Sequence, residues 1–259
     1  MVKRIGMLAT LSIMLALVLG VSGTAYSQET VEDAFFSIKL SVTNCFLLPC
    51  DGGYLMIDTS YPDQYEKLIK ELAKIDVDVS EIRYVLLTHH HDDHAGFIAE
   101  FVEKNPEVRV IVHEADLAWL AAGKSNEDAA PLNGCIRVLL GLFGAFHKFD
   151  FPGYIVRDSD IILTGDDDEL LSSIGVDGVI LHTPGHTDDS VSVILADGSA
   201  FVGDVAMNFL KICCIKYRPI FVHDMPEVRE SWERVLEAGA VTIYPAHGKP
   251  FDVGELNME

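Results

Sequence analysis

The first half of the chain alternates between short apolar runs and segments with helical spacing. Ala34 to Leu40 and Asn44 to Leu48 are apolar or alternating and predict strands, and Asp51-Gly52-Gly53 is a turn signal that folds the chain back onto Tyr54-Leu55-Met56-Ile57. Pro62 to Ala73 predicts a helix, with proline in its first turn and Tyr65, Leu68, Ile69 and Leu72 on one face. Ile82 to Leu87 predicts a buried strand. Ala95 to Lys104 then predicts a helix with Phe97, Ile98, Phe101 and Val102 inward, Val108 to Val112 a strand, and Glu114 to Ala122 a helix. This alternation predicts an α/β protein.

Residues 123–158 break the rhythm. Lys124 to Asn133 is polar, and Cys135 to Phe146 is apolar nearly all round, which fits a buried helix, a lid over a substrate pocket, or a surface that touches lipid. Strands return at Ile161–Leu163, Gly178–His182, Val191–Leu195 and Ala200–Val202. A last helix is expected from Pro226 to Ala238, with Asp224 and Glu227 as a capping box and Gly239 as its stop, followed by a strand over Val241–Tyr244. No internal repeat, linker or low-complexity tract divides residues 28–259, so they read as a single domain carrying an insertion at 123–158.

Composition refines this picture in three ways. The net charge of −21 repels phosphate backbones and argues against nucleic acid as a partner, leaving a small-molecule substrate. Residues 1–27 have the form of an export leader: Lys3 and Arg4, a long apolar run, and Ala25-Tyr26-Ser27 before a cleavage point. Removing them takes away two of the 19 basic residues and none of the 40 acidic ones, leaving −23. The expectation is an exported protein, whether secreted, periplasmic or on the cell surface; the alternative is membrane association through an uncleaved anchor at residues 5–22. Five cysteines, Cys45, Cys50, Cys135, Cys213 and Cys214, show no metal-finger spacing and are read as structural. Cys45 and Cys50 stand too far apart along one extended segment to bridge, and a link from Cys135 to Cys213 or Cys214 is compatible with the sequence.

The candidate chemistry lies at strand ends. The strand ending at Leu87 runs into Thr88-His89-His90-His91-Asp92-Asp93-His94. So many imidazoles and carboxylates in one place repel one another or lose solvation unless a cation holds them. In an extended loop His89 and His91 point to one side and His90 to the other, while Asp93 and His94 can serve a neighbouring position. Further polar clusters end other apolar runs: Asp58, His182 to Thr187, Gly203-Asp204 and His247-Gly248. His186 and His247 can complete one centre each, and Asp204 can bridge them. Imidazole and carboxylate without thiolate suit Zn2+, and iron or manganese as well.

These residues resemble a known pattern. His89 to His94 matches the H-x-H-x-D-H signature of the metallo-β-lactamase-fold hydrolase superfamily, and Asp58, His186, Asp204 and His247 match its other motifs in order, over roughly Phe35 to Pro250. The resemblance implies an αββα sandwich, two mixed β-sheets flanked by helices. It implies two divalent metal ions: His89, His91 and His186 on the first, Asp93, His94 and His247 on the second, and Asp204 between them. It implies hydrolysis by a hydroxide generated at the metals, with Asp93 orienting it and Asp58 orienting a ligand histidine.

The branch is narrowed by single residues. β-Lactamases of this superfamily typically have cysteine or serine where Asp204 stands, so the aspartate points to an ester, thioester or lactone hydrolase, glyoxalase II-like or lactonase-like. Few residues follow His247 where glyoxalase II enzymes carry a helical domain, and lactonases commonly place tyrosine where this chain has Met207. Met207, and His223 in the same region, are candidate substrate-binding residues. β-Lactamase or phosphodiesterase activity at the same site, or an iron-dependent persulfide dioxygenase-like oxidation, are the alternatives. His90, His113, His147 and His182 read as structural, and Asp188, Asp189 and Ser190 as turn residues.

Overall fold

The strands form where apolar residues recur at every second position, and the alternation tells which layer each side chain enters. The computed structural model describes residues 35–125, 130–131, 133–138, 149–209 and 216–256. In chain order its strands are β1 (Phe36–Leu40), β2 (Thr43–Cys50), β3 (Gly53–Ile57), β4 (Ile82–Leu86), β5 (Arg109–His113), β6 (Ala130–Pro131), β7 (Ile161–Leu163), β8 (Gly178–His182), β9 (Val191–Leu195), β10 (Ser199–Phe201), β11 (Phe221–Val222), β12 (Thr242–Tyr244) and β13 (Phe251–Asp252). Its helices are α1 (Tyr65–Leu72), α2 (Asp92–Ala95), α3 (Ile98–Lys104), α4 (Leu117–Ala122), α5 (Leu170–Ser173) and α6 (Met225–Glu237).

Two mixed sheets result. The first has the order β1-β2-β3-β4-β5-β7, antiparallel through β3 and parallel from β3 to β7. The second has the order β13-β12-β10-β9-β8, with β10 and β12 parallel and the other pairs antiparallel. On β2, Phe46 and Leu48 face the second sheet, where they meet a core that includes Ile57, Leu86, Ile111, Ile180, Val193 and Phe201. Cys45 and Leu47 point the other way, into a core shared with α1 and α3 through Leu68, Leu72, Phe97 and Phe101. Beyond the second sheet, Ile194, Ala200 and Ile243 pack against Val228, Trp232 and Val235 of α6. The layers are therefore helix, sheet, sheet, helix, the predicted αββα sandwich.

The helix expected from Ala95 to Lys104 is broken. Phe97 leaves helical geometry at φ −111° and ψ 17°, separating α2 from α3. Gly96 explains the close fit at this break: a Cβ there would lie 2.5 Å from the Ser60 carbonyl oxygen and 2.7 Å from the Pro62 ring. The loop after β3 is thus pressed onto α2, which carries Asp93 and His94. The expected helix from Glu114 begins with a 3-10 turn over Glu114–Asp116 before α4. Of the capping box expected at α6, the Asp224 half is shown, its carboxylate accepting the Glu227 N–H at 3.2 Å.

Part of the insertion is described. Its strand β6 pairs antiparallel with β11. The N-terminal leader, the apolar run from Leu139 through Phe146, His147, Cys213 and Cys214 lie outside the described residues. Among the described residues no helix is long and apolar enough to cross a membrane. Cys45 and Cys50 are free thiols, as expected from their spacing, and Cys135 is disulfide-bonded.

Candidate metal centre

Strand ends deliver every polar group of the site. Asp58 follows β3, His89 and His91 follow β4, and Asp93 and His94 sit in α2. His186 lies between β8 and β9, Asp204 follows β10 and His247 follows β12. The sheets hold the strands rigidly while the loops converge, which suits a site that needs fixed donors.

Three imidazoles form one cluster. His89 Nε2 is 3.1 Å from His91 Nδ1, and His186 Nε2 is 3.2 Å from each of them. All three residues are buried. The outer nitrogen of His186, Nδ1, faces the Phe221 carbonyl oxygen at 2.9 Å. A carbonyl only accepts, so Nδ1 carries the proton and Nε2 presents a lone pair to the cluster. His89 Nδ1 is 3.1 Å from Thr88 Oγ1, whose own hydroxyl bonds Asp58 Oδ2 at 2.9 Å.

A second cluster adjoins it. His247 Nε2 is 3.0 Å from Asp93 Oδ2 and 3.4 Å from Asp204 Oδ1. His94 Nε2 is 3.7 Å from Asp93 Oδ1 and 3.5 Å from Asp204 Oδ1. The other oxygen of Asp204, Oδ2, is 3.8 Å from His186 Nε2, so one carboxylate spans both clusters. Here too the outer nitrogens are fastened: His247 Nδ1 donates to the Val42 carbonyl at 3.1 Å and His94 Nδ1 to Asp58 Oδ2 at 2.8 Å. Asp58 itself adopts φ +60° and also accepts the Thr88 N–H at 2.7 Å.

Does this arrangement fit cations? His94 Nε2 and Asp204 Oδ1 are buried and make no hydrogen bond, a costly state for polar atoms unless something else satisfies them. Donors around a tetrahedral zinc, at about 2.05 Å from it, stand ~3.3 Å apart, close to the 3.1–3.2 Å spacing of the three imidazole nitrogens. The groups His89/His91/His186, His89/His94/Asp204 and Asp93/His94/His247 each bring three ligand atoms within 4.8 Å. The donors therefore fit one cation in each cluster.

Electrostatics divide the clusters. Burial, then the neighbouring imidazoles, holds His89 and His91 well below the usual histidine range. Burial also lowers His186, against the opposing pull of Asp204. For His94 and His247 burial is again the largest influence and pushes down, but the surrounding carboxylates outweigh it and both are raised. Burial pushes Asp93 and Asp204 up, and the adjacent histidines more than reverse it, leaving both carboxyls below their usual range. The first cluster is a nest of neutral lone pairs, and the second pairs acid with base.

The remaining sequence candidates are placed as follows. His90 faces away from both clusters and stacks on Trp119 at 5.2 Å, and Asp92 Oδ1 accepts from Ser125 Oγ at 3.0 Å. His113 and His182 stack on each other at 4.2 Å. His223 is exposed and bonds Asp188 Oδ1 at 2.6 Å through Nδ1. Met207 is buried, and its sulfur accepts the Ile220 N–H at 3.3 Å. Two aromatic residues that sequence reasoning passed over lie closer to the centre. The Phe209 ring is 5.8 Å from that of His247. Tyr61 has its phenol raised by burial and by the charges of Asp93, Asp92 and Asp204. Neither belongs to a periodic pattern, so only their neighbours in space mark them. The reading of Asp189 as a turn residue is incomplete: the residue is buried and bonds His90.

The sequence profile of the metallo-beta-lactamase superfamily matches residues 38–247. The chain is 26% identical over 219 residues to the beta-lactamase-like protein 2 homolog of Drosophila melanogaster, covering 82% of this chain and 60% of that one. It is 26% identical over 132 residues to the thioesterase pkgB of Emericella nidulans, covering 50% and 37% of the two chains. It therefore spans less than two thirds of the length of these relatives. Among solved structures it is similar to a metallo-beta-lactamase family protein of Thermus thermophilus, with a TM-score of 0.60 and 22% identity, covering 85% of this chain and 75% of that one. At that identity the likeness speaks to the fold.

Proposed function

Because the chain belongs to the metallo-beta-lactamase superfamily, a family of metal-dependent hydrolases, we propose that it is a dinuclear hydrolase of an ester, thioester or lactone. The observation that carries this is the Asp204 carboxylate, whose two oxygens address two different donor clusters. His89, His91 and His186 would hold one divalent ion and Asp93, His94 and His247 the other, with zinc favoured by the donor chemistry. Bound there, the ions would acidify a water and polarise the acyl carbonyl.

The protein's own groups do the rest. The hydrogen bonds to Phe221, Val42 and Asp58 fix a proton on the outer nitrogens of His186, His247 and His94, so the inner nitrogens are the ones offered to an ion, which would displace the protons that the carboxylates favour on His94 and His247. The Asp93 carboxylate, kept ionised by His94 and His247, can accept a hydrogen bond from the attacking water and fix its direction. The ring of Phe209 beside His247 gives the centre an apolar border, which suits an acyl group better than a phosphodiester. The likeness to a protein named as a thioesterase supports the same choice.

A panel of esters, thioesters, lactones, phosphodiesters and β-lactams tests the reading. Turnover is expected in the first three classes and abolished by His89→Ala. Turnover confined to β-lactams or phosphodiesters would replace the substrate assignment. We further propose that residues 1–27 are an export leader, which the disulfide on Cys135 supports because such bonds persist in oxidising compartments. N-terminal sequencing of the mature protein checks it; a chain retaining residues 5–22 would favour the membrane anchor.

A further inference from the structure

His90 sits between two histidines of the first cluster and belongs to neither, yet it is one of the most tightly held residues in the protein. Its backbone N–H and its ring Nδ1 both meet Asp189 Oδ2, at 2.9 and 2.8 Å. Its ring lies nearly parallel to that of Trp119, at 12°. Asp189 is three residues beyond His186, in the same loop between β8 and β9. Behind it stands Asp116, on the turn after β5, which accepts the His113 N–H at 3.2 Å through Oδ2 and whose Oδ1, 3.8 Å from His90 Nδ1, makes no hydrogen bond. All three side chains are 2% exposed or less.

Two buried carboxyl groups with oxygens within 4.8 Å of each other cannot both be ionised at modest cost, so one of them keeps its proton. Asp189 has His90 as a donor and Asp116 does not have one of comparable closeness, so Asp116 is the protonated partner. Burial and the charge of Asp189 raise its carboxyl accordingly. Asp189 then accepts both donors of His90 and joins two loops, the one bearing His89 and His91 and the one bearing His186. The second cluster has no share in this tie, because its outer atoms are fastened to Asp58 and Val42 instead.

We propose that Asp189, through its two hydrogen bonds to His90, is the positioning residue of the first metal position, setting the spacing between the His89–His91 loop and His186. This rests on the reading of the two clusters as metal positions. It assigns control of metal affinity at one position to residues that touch no metal.

The test is zinc titration of metal-free protein against a chromophoric chelator, with His186→Ala and His247→Ala as references that each remove one position. Asp189→Ala is expected to weaken the His186-type step about 10–100-fold, the range typical when a group supporting a ligand is lost, and to leave the His247-type step within about threefold. Asp116→Asn is expected to match wild type at both steps, because it keeps the shape of a neutral carboxyl and the tie to His90 runs through Asp189. If Asp189→Ala does not fold, His90→Ala serves instead, and the same one-sided loss is expected from removing the ring that Asp189 holds. Equal affinity at both steps, or equal loss at both, in a folded variant overturns the proposal. A third zinc in the wild type that Asp116→Asn abolishes also overturns it, since the cluster would then be a cation site. Wild-type protein that takes up no zinc refutes the metal reading itself and the proposal with it.

Discussion

Asp58→Asn changes one oxygen to an amide at the point where three hydrogen bonds meet. The aspartate accepts the Thr88 N–H at 2.7 Å through Oδ1, and the Thr88 hydroxyl at 2.9 Å and His94 Nδ1 at 2.8 Å through Oδ2. Asparagine can keep the first bond and the positive φ of this position, which it tolerates better than most residues. Its NH2 group, however, then faces two donors. His94 relieves the conflict by moving its proton from Nδ1 to Nε2, the buried atom that points at Asp93 and Asp204. A proton there removes the lone pair a metal needs. Losing a hydrogen bond to a charged group is worth ~1.5–3 kcal/mol, which corresponds to a fall in metal affinity of about 10–100-fold. Zinc titration of folded, metal-free Asp58→Asn should show that fall at the position completed by His247, with the His186 position moving much less. A folded variant with unchanged affinity at the His247 position would refute the claim that Asp58 works through the His94 proton.

Three other outcomes follow from the packing. Gly185 has φ +122°, and a Cβ there would lie 2.5 Å from the Val228 backbone nitrogen at the start of α6; Gly185→Ala should cost about 2 kcal/mol or more, read as a lowered melting temperature, and an unchanged melt would contradict it. The Asp160 side chain is buried and accepts from Tyr154 Oη at 2.5 Å, the Arg157 N–H at 2.7 Å and the Val110 N–H at 3.0 Å. Although burial pushes its carboxyl up, the Arg157 guanidinium, 2.8 Å away, together with these donors holds it below the usual value of 3.8, so its stabilisation is complete above that pH and is lost as pH falls through the lower folded value. Denaturant melts should therefore show Asp160→Asn weaker than wild type by ~1.5–3 kcal/mol near neutrality, with the gap narrowing below pH 3.8; a gap that does not change with pH would contradict this. Phe209→Ala should raise KM for acyl substrates several-fold with kcat nearly unchanged, since it removes ~1–2 kcal/mol of apolar contact made equally in ground and transition states, and steady-state kinetics with a matched pair of short- and long-chain substrates reads it.

The parts of this protein that were legible in its sequence are those set by local order. Strands of five residues with mostly apolar runs, such as Gly178–His182 and Val191–Leu195, emerge at their predicted bounds. The His89-x-His91-x-Asp93-His94 spacing carries its own geometry, because an extended loop entering a helical turn separates the two pairs whatever surrounds them. What stayed hidden depends on distant segments meeting. Asp189 looked like a turn residue because the partner that holds it, His90, lies 99 positions earlier in the chain. The strands β6 and β11 are two residues each, too short to show a period, yet β11 supplies the Phe221 carbonyl that orients His186. Tyr61 and Phe209 sit in loops, where no pattern tells an aromatic residue at a site from one on the surface.

The central claim is that two donor clusters joined by Asp204 hold two divalent ions on which hydrolysis depends. Protein stripped of metal should be inactive toward its best ester, thioester or lactone, and stepwise zinc addition should restore turnover until about two equivalents are bound. Full activity in stripped protein, or full activity at a single equivalent of iron with consumption of oxygen, would contradict it.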